Sequence, residues 1–194
     1  MTPSDRVALY NQTFGQRYPG SRLCVSPSEF ISGVWILGNA YKGSGFFGSY
    51  PPQYLKRVST LFPEALEWGA VMHLFSGSLP VSDDYTRVDL RGRPDYVLDA
   101  HKLRTMFGRR SFNLIYADPP YSKEAAARYG LPMINRKRVL EQCAAILRPG
   151  GFVVWLDTVW PMIAKKHLAL VGAIGILRSQ NHVGRFCFIM EKPR

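Results

Sequence analysis

Residues 118–121 read Asp118-Pro119-Pro120-Tyr121 and close an apolar run that begins at Phe112. Each proline fixes its own φ and has no N–H to donate, and Pro120 also holds Pro119 extended. The segment is therefore a stiff turn with unpaired carbonyls. An ionised Asp118 is acceptor-only, and together with the Pro119 carbonyl it can receive both hydrogens of an exocyclic NH₂ group. Tyr121 adds a flat face on which a heterocycle can stack. The chemistry open to such a set is activation of an aromatic amine, whose lone pair is otherwise delocalised into its ring. Holding both hydrogens out of the ring plane favours a pyramidal nitrogen and frees that pair for attack. The same carboxylate then stabilises positive charge that exists only in the transition state. The plainer alternative is a Pro-Pro turn whose aspartate caps the following helix.

For this turn to act, a scaffold must present it at a cleft. Short apolar runs recur at residues 70–75, 85–89, 96–99, 112–118 and 152–157, with helical segments between some of them. That pattern predicts a buried, mostly parallel sheet in a doubly wound α/β fold. Sheets of this kind bind ligands beyond the carboxyl ends of their strands, where strand order reverses. Three of the runs end at Asp89, Asp99 and Asp118. The spacing of Tyr54, Leu55, Val58 and Leu61 predicts a helix from Pro52 to about Leu61, stopped by Pro63. Residues 135–147 predict a second, with Val139, Leu140, Cys143, Ile146 and Leu147 inward and Pro149-Gly150-Gly151 as its exit. The tail, residues 168–177 and 185–191 around a polar segment, reads as a β-hairpin. Residues 1–30, with Pro3, Pro19, Gly20 and Pro27 and weak periodicity, read as an irregular arm, and the glycine-aromatic stretch from Trp35 to Pro52 reads as a loop.

The chain has 194 residues, 46% of them hydrophobic and 20% charged, which fits one folded domain and argues against disorder. No apolar run approaches the ~20 residues of a membrane span, and the first residues do not resemble a secretory signal, so an intracellular, cytoplasmic protein is expected. Cys24, Cys143 and Cys187 form no CxxC pair, which fits reduced packing residues and no metal cluster. The net charge of +11 favours a polyanionic partner, and its distribution is uneven. Residues 1–60 carry +4, residues 61–99 carry −4, and residues 100–194 carry +11. The acidic middle suits a small hydroxyl-bearing or cationic ligand, while the flanks suit phosphate.

At these residues the sequence resembles the class I S-adenosylmethionine-dependent methyltransferases, and within them the amino-methyltransferases that modify exocyclic nitrogens of nucleic-acid bases. Asp118-Pro119-Pro120-Tyr121 matches that family's catalytic motif. Residues 71–79, VMHLFSGSL, look like its cofactor-binding turn after strand one, with Phe75, Ser76, Gly77 and Ser78 in place, Leu79 where a second glycine is usual and His73 where an acid is common. The resemblance implies S-adenosylmethionine as cofactor. It places Asp89 at the ribose hydroxyls, Asp99-Ala100 at the adenine of the cofactor, and Tyr50 and Pro52, in GSYPPQYLKRV, over the methionine end. It also implies a seven-stranded sheet with an antiparallel last strand, a methyltransferase domain over residues 48–194, and an arm and loop over residues 1–47. His73 reads more readily as a core histidine bonded to backbone than as a cofactor contact. With so few residues between Leu79 and Arg87, the usual first helix must be very short or absent.

An aspartate at the head of the motif and a tyrosine at its end imply adenine amino-methylation in DNA, by direct displacement on a flipped-out base. RNA base amino-methylation, at guanine N2 or adenine N6 of rRNA or tRNA, is the nearest rival. A non-catalytic nucleic-acid-binding module on the same fold is the second. Tyr121, with Trp160 beside it or else merely packed, would receive the base. Lys123, Arg128, Arg136, Lys137 and Arg138, with Lys102, Arg104, Arg109 and Arg110, are the candidate phosphate contacts, each also readable as solvated surface. No segment is long enough for a separate target-recognition domain, so recognition should be short or relaxed.

Overall fold

Thr2 and Asp5 start the chain as a helix, because each caps the other: Thr2 Oγ1 accepts the Asp5 N–H at 3.1 Å and the Asp5 carboxylate accepts the Thr2 N–H at 2.9 Å. The helix, α1 (Pro3–Phe14), buries Val7, Tyr10 and Phe14 on one stripe. Two strands follow, β1 (Leu23–Val25) and β2 (Ile31–Leu37), paired antiparallel. These elements correct the expectation of an irregular arm, and β2 takes Trp35 to Leu37 out of the expected loop. The structure, a computed structural model, describes residues 1–38, 50–67, 70–109, 111–178 and 181–194. Most of the glycine-aromatic loop, residues 39–49, lies outside the described residues.

From Tyr50 onward the expected strands and the two expected helices form, together with three short helices that were not individually expected. They are α2 (Tyr54–Leu61), α3 (Pro63–Glu67), β3 (Val71–Leu74), β4 (Thr86–Asp89), β5 (Tyr96–Val97), α4 (Leu103–Met106), β6 (Phe112–Ala117), α5 (Lys123–Arg128), α6 (Arg136–Ile146), β7 (Leu147–Asp157), β8 (Ala169–Arg178) and β9 (Asn181–Glu191). Pro63, expected only to stop α2, also opens α3. Pro149-Gly150-Gly151 is not a turn beyond α6 but part of β7: Gly150 N–H donates to Lys192 O at 2.9 Å, and Lys192 N–H to Gly151 O at 2.8 Å.

The strands form one sheet in the order β1-β2-β8-β9-β7-β6-β3-β4-β5. Strands β3 to β7 run parallel, and β9 is antiparallel to both β7 and β8. The fold is the doubly wound α/β sheet the sequence predicts. Among the described residues it has nine strands rather than seven, because β2 adds in parallel to the outer edge of β8 and carries β1 with it. Alternate residues serve two cores. Val71, Leu114, Tyr116, Val154 and Ile189 face one side with α1 and α2. Met72, Ile115, Val153, Trp155 and Phe188 face the other with α4 and α6. Since Val7, Tyr10 and Trp35 share the first of these cores with Leu114 and Val154, the expected boundary at residue 47 divides one packing unit.

A buried arginine secures the α1 side. Arg57 on α2 is fully buried; its Nη1 donates to the Tyr10 hydroxyl, and its guanidinium lies 4.7 Å from the Tyr18 ring and 5.3 Å from the Phe14 ring. Arg6 pairs with Glu64 and donates to Leu61 O at 2.6 Å, fixing α1 to the end of α2 and the start of α3. Among the described residues no helix is long and apolar enough to cross a membrane.

Candidate active site

Strand order reverses between β3 and β6: the chain leaves β3 outward to β4 and β5, then returns beside β3 and continues to β7. The crevice at the carboxyl ends of β3 and β6 is thus the expected ligand position, and the predicted site residues come together around it. After β3 the backbone turns sharply, with Phe75 at φ 59° and Gly77 at φ 54°. The Gly77 N–H donates to Asp89 Oδ2 at 2.9 Å, and Asp89 Oδ1 accepts the Arg91 N–H at 3.1 Å. The end of β4 is in this way tied to the turn after β3. No helix forms between β3 and β4. Arg87 organises that connection instead, donating to Leu79 O at 2.9 Å and pairing with Asp95 at 2.7 Å. Leu79 contributes its carbonyl to this bracing.

Ser76, 2% exposed, places its Oγ in the same turn without a hydrogen-bond partner. A buried hydroxyl left unpaired is costly, so such an atom marks a place where a polar ligand group fits. Asp99 follows β5 and caps a short 3₁₀ turn. Its Oδ1 accepts the His101 N–H at 2.9 Å and lies 2.7 Å from His101 Nδ1. His101 Nε2 accepts the Asn135 N–H at 3.1 Å, which makes the ring the Nδ1–H tautomer and links the Asp99 turn to the start of α6. Burial pushes the Asp99 carboxyl up, but the two hydrogen bonds from His101 outweigh it and hold it below the usual carboxylate range. Ala100 is buried behind it.

Asp118 is half-buried at the end of β6, with Pro119 buried behind it. Burial raises its carboxyl to about 6, against the lowering effect of the Tyr121 hydroxyl, which donates to Oδ1, and of the Arg185 guanidinium; Asp157 raises it further. The group is ionised at neutral pH and accepts protons just below it. Tyr121 packs against the α1-side core and carries Arg185 over its ring at 4.7 Å.

His73, 4% exposed, faces the α1 side of β3 in an aromatic cage: stacked on Tyr116 at 4.7 Å, edge-on to Tyr85 at 4.7 Å and to Tyr50 at 5.6 Å. Its Nδ1 lies 3.2 Å from the Tyr50 hydroxyl, so its partner is this side chain and not the backbone. Burial pushes the imidazole down to about 3, keeping it neutral. Tyr50 also stacks on Tyr54 at 5.6 Å, and burial, with the charges of Asp118 and Asp89, raises its phenol well above the usual range. Tyr50 therefore stands where the β4 and β6 ends both act on it, and His73 supports it from beneath. Pro52 is half-buried in the turn that leads into α2.

Two residues emerge that the sequence reading did not single out. Tyr129, after α5, has a phenol raised by burial and then by the charges of Asp118 and Asp89, so it feels both strand ends. Arg185, on β9, reaches the same place. A tyrosine beside Gly130 and an arginine inside a hairpin strand have no local signature that would have marked them.

Other expectations part company with the structure. Trp160 is 54% exposed and packs edge-on at 5.2 Å against Phe188, on the α6 side of the sheet, away from the core on which Tyr121 sits. Arg136 is not a free phosphate contact. It forms a two-point ion pair with Asp157, Nε to Oδ2 at 2.7 Å and Nη2 to Oδ1 at 3.1 Å, and Nη2 donates to Tyr121 O at 3.0 Å. Lys102, Arg104, Arg109, Lys123, Arg128, Lys137 and Arg138 are exposed, and Arg110 lies outside the described residues.

No family model matches the chain, and no curated protein does. Among solved structures it is similar to TrmN from Thermus thermophilus, at 18% identity and a TM-score of 0.47 over 74% of this chain and 54% of that one. It is also similar to the N-methyltransferase NodS from Bradyrhizobium japonicum WM9, at 16% identity and a TM-score of 0.46 over 74% of this chain and 98% of that one. The chain spans about half the length of TrmN.

Proposed function

We propose that this chain is an S-adenosylmethionine-dependent methyltransferase acting on the exocyclic amine of a nucleobase, with adenine in DNA as first substrate and the base amines of rRNA or tRNA as second. The observation that carries the reading is the placement of Asp118: a carboxylate on a proline-stiffened turn, at the reversal of strand order, beside the turn that Gly77 and Asp89 hold together.

The crevice fits the cofactor. Asp89 and Asp99 retain acceptor capacity for ribose hydroxyls and an amine, the Ser76 hydroxyl lacks a partner, and Tyr50 stands over both strand ends. S-adenosylmethionine supplies an electrophilic methyl group on a sulfonium centre. The chain's own contribution is to the amine. Asp118 and the Pro119 carbonyl accept its two hydrogens, Tyr121 stacks the ring that bears it, and the Arg136–Asp157 pair holds the Tyr121 carbonyl in place. Because the turn is rigid, little reorganisation is needed when positive charge develops on nitrogen. The exposed lysines and arginines around α5 and the start of α6 suit a phosphate backbone.

The test is transfer of a labelled methyl group to DNA, rRNA and tRNA, with the product nucleoside identified by mass spectrometry. N6-methyldeoxyadenosine is expected. Methylguanosine from RNA alone would reject the DNA reading, and no cofactor binding by a folded sample at millimolar S-adenosylmethionine would leave only a nucleic-acid-binding module.

A further inference from the structure

The Tyr121 ring, assigned above to the incoming base, is already covered. One side of the residue packs into the α1-side core, and the Arg185 guanidinium lies over the ring at 4.7 Å. A guanidinium and a nucleobase are both flat and both stack on an aromatic face, so they compete for one place. Arg185 pairs with Ile176 of β8 near the turn end of the hairpin, so its backbone is held in the sheet while its long, half-buried side chain remains able to leave.

We infer that Arg185 is the placeholder of the base pocket: in the free protein it occupies the Tyr121 ring, and the substrate base binds by taking that position from it. This rests on the nucleobase reading above. The exchange has a chemical consequence. A fixed cation beside Asp118 opposes the positive charge that an attacking amine acquires, so the pocket with Arg185 in place is poorly suited to the transition state, and the pocket with a base in place is rid of that charge. Until then Arg185 also lowers the Asp118 carboxyl and covers the ring of Tyr121, whose hydroxyl donates to Asp118. It therefore acts on entry and on preparation of the site, and is a positioning residue rather than a catalytic one.

The test is equilibrium binding of deoxyadenosine, adenosine and guanosine, which lack phosphate, to the full chain and to its Arg185→Ala and Arg185→Gln variants. Removing a competitor held by a cation–π contact should tighten binding by about 2- to 30-fold. A merely structural arginine would give the opposite sign, because its loss loosens Tyr121. Binding by the unaltered chain with equal or weaker binding by both variants overturns the inference alone. Failure of all three proteins to bind any of the nucleosides overturns the nucleobase reading, and the inference with it.

Discussion

Arg136 grips Asp157 with two nitrogens and, with one of the same two, the carbonyl of Tyr121, so a single side chain joins the end of β7 to the end of the Asp-Pro-Pro-Tyr turn. Asp157 is fully buried and also accepts the Trp155 indole N–H at 3.0 Å and the Thr158 N–H at 2.7 Å. Removing one partner of such a pair leaves a buried charge uncompensated, at a cost of about 3–5 kcal/mol. Arg136→Ala should therefore lower the unfolding free energy by about that amount, whereas Lys137→Ala and Arg138→Ala, both exposed, should change it by no more than about 0.5 kcal/mol. Denaturant unfolding of the three variants checks this. Equal stabilities would mean that the ion pair does not organise the turn.

The Ser76 hydroxyl separates a ligand contact from a fold contact. It is buried and unpartnered, so Ser76→Ala removes an unsatisfied group and should leave the free protein as stable as before or slightly more so. If the hydroxyl meets the cofactor, the same change should weaken S-adenosylhomocysteine by roughly 3- to 10-fold, the worth of one neutral hydrogen bond. Calorimetric titration reads the second effect and thermal unfolding the first. Unchanged affinity would remove Ser76 from the cofactor site.

His73 sets the acid side of the stability curve. Its folded-state value of about 3 lies below the ordinary 6.5, so the folded chain holds it neutral while the unfolded chain protonates it. Its contribution is present above pH 6.5 and is lost as pH falls towards 3, to a total on the order of 4–5 kcal/mol by linkage. His73→Phe should flatten stability across that window while removing the contact to the Tyr50 hydroxyl. Urea midpoints at pH 7, 5.5 and 4 measure it, and a parallel loss in both proteins would contradict the cage as the cause.

What could be read from the sequence follows the strength of the local signal. The run Phe112 to Ala117 is apolar except for Asn113 because β6 is buried on both faces, and the inward face of α6 repeats at helical spacing because it too is buried. Where burial involves polar residues, the pattern fails. On α1 the apolar Val7, Tyr10 and Phe14 alternate with a buried Arg6, and Arg57 on α2 is fully buried among rings, so charged residues that no apolar pattern would place inside belong to the core. The signal for α1 was present in its ends, Thr2, Pro3 and Asp5, not in its periodicity. In β2 the central Gly33 masked a strand that pairs with β8 far along the chain. At the site, the strand-end aspartates could be found because each terminates its own apolar run. Arg136 and Arg185 could not, since their meaning comes from Asp157 and Tyr121, which only tertiary structure brings near.

Asp118 carries a cost that the proposed function would explain. Burial raises it from 3.8 to about 6, so at neutral pH the fold holds an ionised carboxylate in a place less favourable to charge than water. The sign follows from linkage: the folded chain binds this proton more tightly than the unfolded one, so the stabilising effect is complete below about pH 3.8 and is lost as pH rises through about 6. At pH 8 the penalty is on the order of 3 kcal/mol. Asp118→Asn keeps an acceptor for the Tyr121 hydroxyl and removes the charge. It should raise stability at pH 8 by up to roughly that amount, with the gain fading as pH falls below about 6 and gone below about pH 3.8. The same substitution should abolish methyl transfer, because a neutral amide brings no negative charge to the developing ammonium, while S-adenosylhomocysteine binding stays within a few-fold. In the unaltered protein the rate should fall as pH drops through about 6, where Asp118 takes up its proton. A stabilised but inactive Asp118→Asn variant, beside an acid limb near 6, would assign both effects to one carboxylate. Retained turnover in that variant would remove Asp118 from the chemistry.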